Sequence, residues 1–380
     1  MLLFCVAILL ALGLVVLYSS SMTQVGAGYL AKQALWVLAG VLAFAVAANV
    51  KYETLKELSP WLLVFACVLL AMVYVPHVGI VAGPEGGKAR RWIGYRSQAE
   101  QGGVRFQPSE LAKVALILAL AFYCDRRRKQ IPTLLWGIVI PAGIIAPALA
   151  LIFIEPDRGT TLLMVAVCAV MLFTSGASLK FCLPPVVLGL AGGALYFARD
   201  QLVMSRLKSW WFLEESKLDK GFQAYQAMLA FARGGVSGLG LGNGRQKLGF
   251  VPEHHTDMIL SIVGEELGLG GTLVVLVLFA VLVGCGLVIA SRARDHFGML
   301  VATGITTLIG FQALINIGVV TSALPCKGLP LPFISYGGSN LVMMLGCVGL
   351  LFNIARQGQA DELCSPSAFA ATDLPAHQTT

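Results

Sequence analysis

Residues 245–268, RQKLGFVPEHHTDMILSIVGEELG, hold the densest set of groups able to do chemistry. Glu253, His254, His255 and Asp257 lie on a polar loop that runs straight into an apolar segment, which itself carries Glu265 and Glu266. Carboxylates and imidazoles can move protons or hold a metal. The metal reading is the weaker one, because His254 and His255 diverge along an extended chain. Charge is scarce elsewhere: 12% of the 380 residues are Asp, Glu, Lys or Arg, against 57% hydrophobic. A charged side chain at a bilayer centre costs roughly 2.5–3.5 kcal/mol. Such a cluster therefore needs partners, a water-filled cavity or a function.

Three further sets accompany it. Loop 81–106 carries Lys88, Arg90, Arg91, Trp92, Arg96 and Arg105 against Glu85 and Glu100. Arg forks and glycine-exposed backbone N–H groups suit a phosphate-bearing ligand, and interfacial anchoring by Arg and Trp is the alternative. QPSELAK at 107–113 opens a helix with proline in its first turn, and Glu110 and Lys113, three apart, share a face. They form either a neutralising ion pair or the lining of a ligand channel. In EPDRGTT, 155–161, Glu155 and Asp157 could be acid/base groups, but capping of the next helix and pairing with Arg158 is the favoured reading.

The elements that must position these groups are membrane helices. Mean hydropathy is +0.80, and about 20 apolar residues span a bilayer as helix. Ten apolar segments are expected as spans: 2–20, 31–50, 60–80, 107–124, 133–154, 160–176, 181–198, 257–290, 299–321 and 338–355. The period-two alternation of a β-barrel is absent, so the class is an all-α polytopic membrane protein. The eighth segment is too long for one straight crossing, so its first two turns should lie at the interface or in a cavity. Segment 2–20 lacks a basic leader and reads as a retained helix. The nine cysteines stand singly, mostly in apolar runs, as small core residues. The net charge of +7 suits an anionic lipid surface or anionic substrate, with no nucleic acid implied.

Short turns weigh most in setting orientation. CDRRRKQ and SRARD therefore place both termini in the cytoplasm, although a raw count of Lys and Arg points the other way. Loops 81–106 and 199–256 then lie outside. In the larger one, 217–231 reads as an amphipathic interfacial stretch with Gln223 and Gln226 on one face. Gly234–Gly244, GGVSGLGLGNG, reads as a hinge or a close approach to a ligand. Prolines and glycines from Cys326 to Asn340 forbid a continuous helix, so this stretch is expected as a re-entrant or cavity-lining loop. Residues 357–380 read as a disordered tail.

From the first span to about residue 356, the chain resembles the SEDS (shape, elongation, division and sporulation) family, the FtsW/RodA-type peptidoglycan polymerases. The resemblance rests on Arg91-Trp92, QPSELAK, EPDRGTT, Gln223 and Gln226, QKLGFVPEHHTD with GEELG, and KGLPLPFISYGGS at 327–339. It implies a single transmembrane domain over 1–356, cytoplasmic termini and a large outer loop, 199–256, before the eighth span. The activity implied is polymerisation of lipid II into glycan strands on the outer face of the cytoplasmic membrane. Lys327-Gly328 and GEELG resemble the division branch and point to the septum, whereas LGFVPE leans toward the elongation branch. Departures from the family pattern are His254, Met258 in place of Phe, Gly244-Arg245 in place of Ser, and Asn340 after YGGS. Of these, Arg245 is the one that would alter substrate entry.

The family's catalytic acid falls on Asp257, which the resemblance makes the base. Arg91, Lys113 and Lys247 are expected to clamp pyrophosphate, with Glu110, Gln223, Gln226, Lys327 and Ser335 as further substrate contacts. Glu265, roughly 12 Å deeper at about 1.5 Å per residue, is expected to be a buried network acid. The sequence specifies no cofactor, and a divalent cation (Mg or Mn) at the leaving pyrophosphate fits the chemistry. The implied partners are lipid II, the growing strand, a class B penicillin-binding protein transpeptidase and other division-complex proteins. The rival readings are an elongation-type polymerase, a lipid II flippase working through Glu110, Lys113, Glu265 and Glu266, and a structural scaffold.

Overall fold

The computed structural model describes residues 1–21, 28–75, 78–81, 90–94, 105–178, scattered positions between 180 and 193, 198–219, 221–248 and 255–364. Helices dominate, as the apolar segments dictate: α1 Leu2–Ser21, α2 Gly28–Asn49, α3 Tyr52–Met72, α4 Pro108–Arg126, α5 Ile140–Ile154 and α6 Arg158–Thr174. They continue as α7 Gln201–Trp211, α8 Phe222–Gly234, α9 Ile259–Ser291, α10 His296–Val320 and α11 Gly338–Cys364. Two short strands, β1 Gly79–Val81 and β2 Arg90–Ile93, pair antiparallel with Ile80 opposite Trp92.

Seven described helices are long and apolar enough to cross a bilayer. With α4 and the 17-residue α6, nine of the ten expected segments are helical. The tenth, 181–198, lies largely outside the described residues. Glu110, Lys113, Asp125 and Arg126 lower the hydropathy of α4, yet it is buried around nearly its whole circumference. It packs against α3, α5, α6, α10 and α11, so protein rather than lipid surrounds its charges.

Three boundaries differ from expectation. α3 begins at Tyr52 with Pro60 inside it and ends at Met72, because the stretch beyond turns into β1. A single π turn, Leu135–Val139, leads into α5, where Pro141 and Pro147 lack the N–H an α-helix needs. α11 continues to Cys364, eight residues into the stretch expected as tail. Its pairing with α2 uses small residues: Gly349 lies against the Phe44 backbone and Gly40 against Leu345. Cys5, Cys67, Cys124, Cys168, Cys285, Cys326 and Cys347 are free thiols.

α9 breaks at Gly268, whose φ of 66° and ψ of −162° interrupt the helix after two turns. Those turns, from Ile259 to Glu266, are buried within the protein.

Candidate active site

Asp257 sits in the turn leading into α9, half-buried. Its backbone carbonyl accepts a hydrogen bond from Asn316 Nδ2 at 2.8 Å. Its carboxylate lies against Gly328, where a Cβ would come within 2.5 Å of Oδ2. His255 is packed between aromatic rings, stacked on Tyr29 at 5.1 Å and edge-on to Tyr336 at 5.9 Å. Glu253 and His254 lie outside the described residues. Among the described residues, no three His, Cys, Asp or Glu side chains gather as a protein-held metal would require.

The proline-rich loop 326–337 passes over Asp257 and is held from below by α10. Asn316 Nδ2 also donates to Leu329 O at 2.7 Å, and Gln312 Nε2 donates to Pro330 O at 2.9 Å. Ser335, expected at the substrate, is instead buried: its Oγ accepts from Leu331 N at 2.8 Å and closes the loop on itself. Lys327 stands half-buried at the loop's outer edge. Burial and the neighbouring Arg206 lower the pKa of its ammonium, Asp157 opposes them and Arg158 adds to the lowering. The adjacent Cys326 makes a 3.6 Å contact from Sγ to Gln223 Oε1. Burial raises the pKa of the Cys326 thiol, with Arg206 lowering it and Asp257 raising it. Asp257, Gln223 and Lys327 are thus brought together around one corner. Gln226 lies one turn along α8, half-buried.

The turn 155–157 forms the opposite wall. Asp157 caps α6, accepting from Thr160 N at 3.2 Å and Thr160 Oγ1 at 2.9 Å, and Arg158 pairs with Asp200 at 2.5 Å. Arg91 grips this turn through its backbone, donating to Glu155 O at 3.0 Å and Pro156 O at 2.7 Å. Glu155 is buried with neither carboxylate oxygen hydrogen-bonded. Burial, and then repulsion from Asp157, push its pKa up to about 8, with Arg91 opposing. Asp200 also caps α7, accepting from Val203 N at 3.3 Å. Trp210 Nε1 ties the other end of α7 to Ser322 O at 2.7 Å. α7 therefore bridges the outer ends of α6 and α10 and brings Arg206 beside Lys327.

Below this polar corner lies an apolar cleft of about 170 Å³, lined by Gly159 and Leu162 of α6, Ile315 and Val319 of α10, and Leu324, with Lys327 at its edge.

Two expected clamp residues lie elsewhere. Lys113 is 1% exposed, paired with Glu110 at 2.8 Å and donating to Gln312 Oε1 at 3.1 Å. Asn340 Nδ2 donates to the same Glu110 carboxylate at 2.9 Å. Lys247 is equally buried, paired with Glu266 at 2.7 Å and bonded to Ser19 Oγ at 2.9 Å and Gly242 O at 2.8 Å. Glu265 is the buried network acid expected, accepting from Arg245 N at 3.0 Å and Gln246 N at 3.1 Å. The Arg245 side chain is exposed.

The glycine-rich loop approaches its own helix closely. Leu239 N and Gly240 N donate to Glu265 O and Glu266 O, each at 3.0 Å. A Cβ on Gly238, at φ 77°, would sit 2.3 Å from Glu266 O. Arg206, Gln312 and Asn316 are site residues that the sequence reading passed over. For the last two there was a signal: two amides four apart in an otherwise apolar span.

A family model described as "Cell cycle protein", of the FtsW, RodA and SpoVE type, matches residues 1–360. The chain belongs to this family. Among its FtsW/RodA/SpoVE relatives, it is 40% identical over 357 residues to the "Probable peptidoglycan glycosyltransferase FtsW" of Geobacter metallireducens, covering 91% of each chain. It is also 40% identical over 362 residues to stage V sporulation protein E of Bacillus subtilis, covering 92% of this chain and 94% of that one. Two solved structures of the family type share the architecture at 27% identity and 94% coverage of this chain. One comes from a peptidoglycan synthase complex described as coordinating polymerization and crosslinking, with a TM-score of 0.78 and 97% of that chain covered. The other is the rod shape determining protein RodA of Thermus thermophilus, with a TM-score of 0.68 and 96% of that chain covered.

Proposed function

We propose that the protein is a peptidoglycan glycosyltransferase. It polymerises lipid II on the outer face of the cytoplasmic membrane, in septal wall synthesis, with both termini cytoplasmic and a class B penicillin-binding protein as partner. The observation that carries this reading is the corner itself. A carboxylate, Asp257, lies beside the Lys327 loop, and an apolar cleft opens at Lys327. A lipid-linked diphosphate asks for that combination of an apolar trough, a cationic rim and a base.

In the transfer, the acceptor sugar hydroxyl gives its proton to Asp257 as its oxygen bonds to the donor's anomeric carbon. The bond from that carbon to the lipid diphosphate breaks, and the diphosphate leaves with the electron pair. Positioned proton transfer contributes about 10²–10⁴-fold. Lys327 and Arg206 face the charge that grows on the leaving group. Gln223 and Gln226 border the sugar side, and Arg91 shapes the wall at 155–157 through backbone carbonyls. Lys113, Glu110, Lys247 and Ser335 support the site from behind it.

The septal assignment draws on the likeness to proteins named FtsW, and the partner on the likeness to a chain of a synthase complex. The flippase reading gains nothing from the buried groups: Glu110 pairs with Lys113, Glu266 with Lys247, and Glu265 accepts from the backbone N–H groups of Arg245 and Gln246. The test is lipid II polymerisation by purified protein with its transpeptidase partner. Asp257→Asn keeps shape and removes basicity, and is expected to lower the rate at least 10²-fold. Polymerisation at the wild-type rate would overturn the assignment.

A further inference from the structure

We infer that Asn316 is a positioning residue for the transfer: its amide sets the distance between the Asp257 turn and the Lys327 loop. The inference rests on Asp257 as the base. Asn316 is 1% exposed, inside a membrane helix. Both hydrogens of one NH₂ group are engaged, one by Asp257 O at 2.8 Å and the other by Leu329 O at 2.7 Å. The NH₂ group is planar and rigid, so the two carbonyls it meets are fixed relative to each other. Those carbonyls belong to the base and to the loop that carries Gly328 and Lys327.

Gln312, one turn earlier on the same face of α10, takes the next carbonyl, Pro330 O, at 2.9 Å. Its own oxygen accepts from Lys113 Nζ at 3.1 Å, which orients the amide so that its NH₂ faces the loop. Among the described residues, Lys113 therefore reaches the loop through Gln312. Consecutive carbonyls are held by amides one helical turn apart, and only Asn316 also reaches the base.

The side chain needed here is specific. Aspartate would turn an acceptor toward two carbonyl oxygens. Serine offers one hydrogen, and leucine offers none. Asn316 Oδ1 is buried and without a hydrogen-bond partner, an arrangement that packing or helix stability alone would not select. The two donated bonds are what the residue provides.

The experiment uses the full chain with its transpeptidase partner, lipid II as substrate, and rates normalised to folded, monodisperse protein. Asn316→Leu is expected to lower kcat about 10²-fold, the scale for a misplacement near 1 Å, with KM for lipid II within threefold of wild type. Asn316→Ser, which keeps one donor, is expected to fall between the two. It decides the matter if the leucine variant fails to fold. Unchanged kcat in the folded variants overturns the inference, and so does a change confined to KM. Asp257→Asn is measured alongside. If it retains full activity, the reading of Asp257 has failed; if it is inactive while Asn316→Leu is wild type, this inference alone has failed.

Discussion

Gly328→Ala perturbs the proposed chemistry through a single methyl group. Gly328 is exposed and its φ lies outside the left-handed region, so alanine enters the backbone without strain. Its Cβ would stand 2.5 Å from Asp257 Oδ2, where ordinary contact begins at 3.4 Å. The carboxylate must therefore retreat by about 0.9 Å. A short, terminal group can make that move at little cost in stability, but it is the group proposed to take the proton. A displacement near 1 Å costs about 10²-fold in rate, or roughly 2.7 kcal/mol of activation free energy. The assay pairs initial rates of lipid II polymerisation with a thermal unfolding scan of the same preparation. The expected result is a thermal midpoint equal to or slightly above wild type, since Gly→Ala at a compatible site stabilises by about 0.4–1 kcal/mol, and kcat down about 10²-fold. A folded variant within threefold of the wild-type rate would refute the reasoning.

Lys113→Met should destabilise the protein by about 3–5 kcal/mol by leaving Glu110 charged and buried; pairing it with Glu110→Gln should recover most of that loss in detergent unfolding, and a double variant no more stable than the single would contradict the pairing. Glu155 has a pKa raised from 4.5 to about 8, so its stabilising contribution is complete below 4.5 and is lost as pH rises through 8. The thermal midpoint of the wild type should accordingly fall more steeply between pH 6 and pH 9 than that of Glu155→Gln, and parallel curves would count against an acid held neutral there.

The spans were legible because bilayer-crossing helices announce themselves by apolar length. α3 was displaced because the polar residues before Pro60, which an apolar-length reading leaves out, fold as its opening turns. Continuation of α11 through GQADELC was not legible, since that stretch has no apolar stripe. At the site, Asp257, Gln223 and Lys327 were identified through family-like motifs and lie close together. Arg91, Lys113 and Lys247 show how a cation's presence in a sequence leaves its partner open. Lys113 meets Gln312 from 199 positions away and Lys247 meets Ser19 from 228, separations that no local pattern encodes. Arg91 addresses backbone carbonyls, which have no residue identity at all. The glycine-rich loop was read as a hinge or a close approach to a ligand, and the backbone it meets closely is that of α9.

The break at Gly268 divides α9 into two segments. The two turns before it are laced to the glycine-rich loop through Leu239 and Gly240, while the segment after it presents Leu273, Val274 and Val277 to lipid. A lipid-facing helix answers a thinner or thicker membrane by changing its tilt. Leu269 N, just past the break, also donates to Gly235 O at 3.0 Å, so the glycine-rich loop is tied to both sides of the break and a change of tilt pulls on it directly.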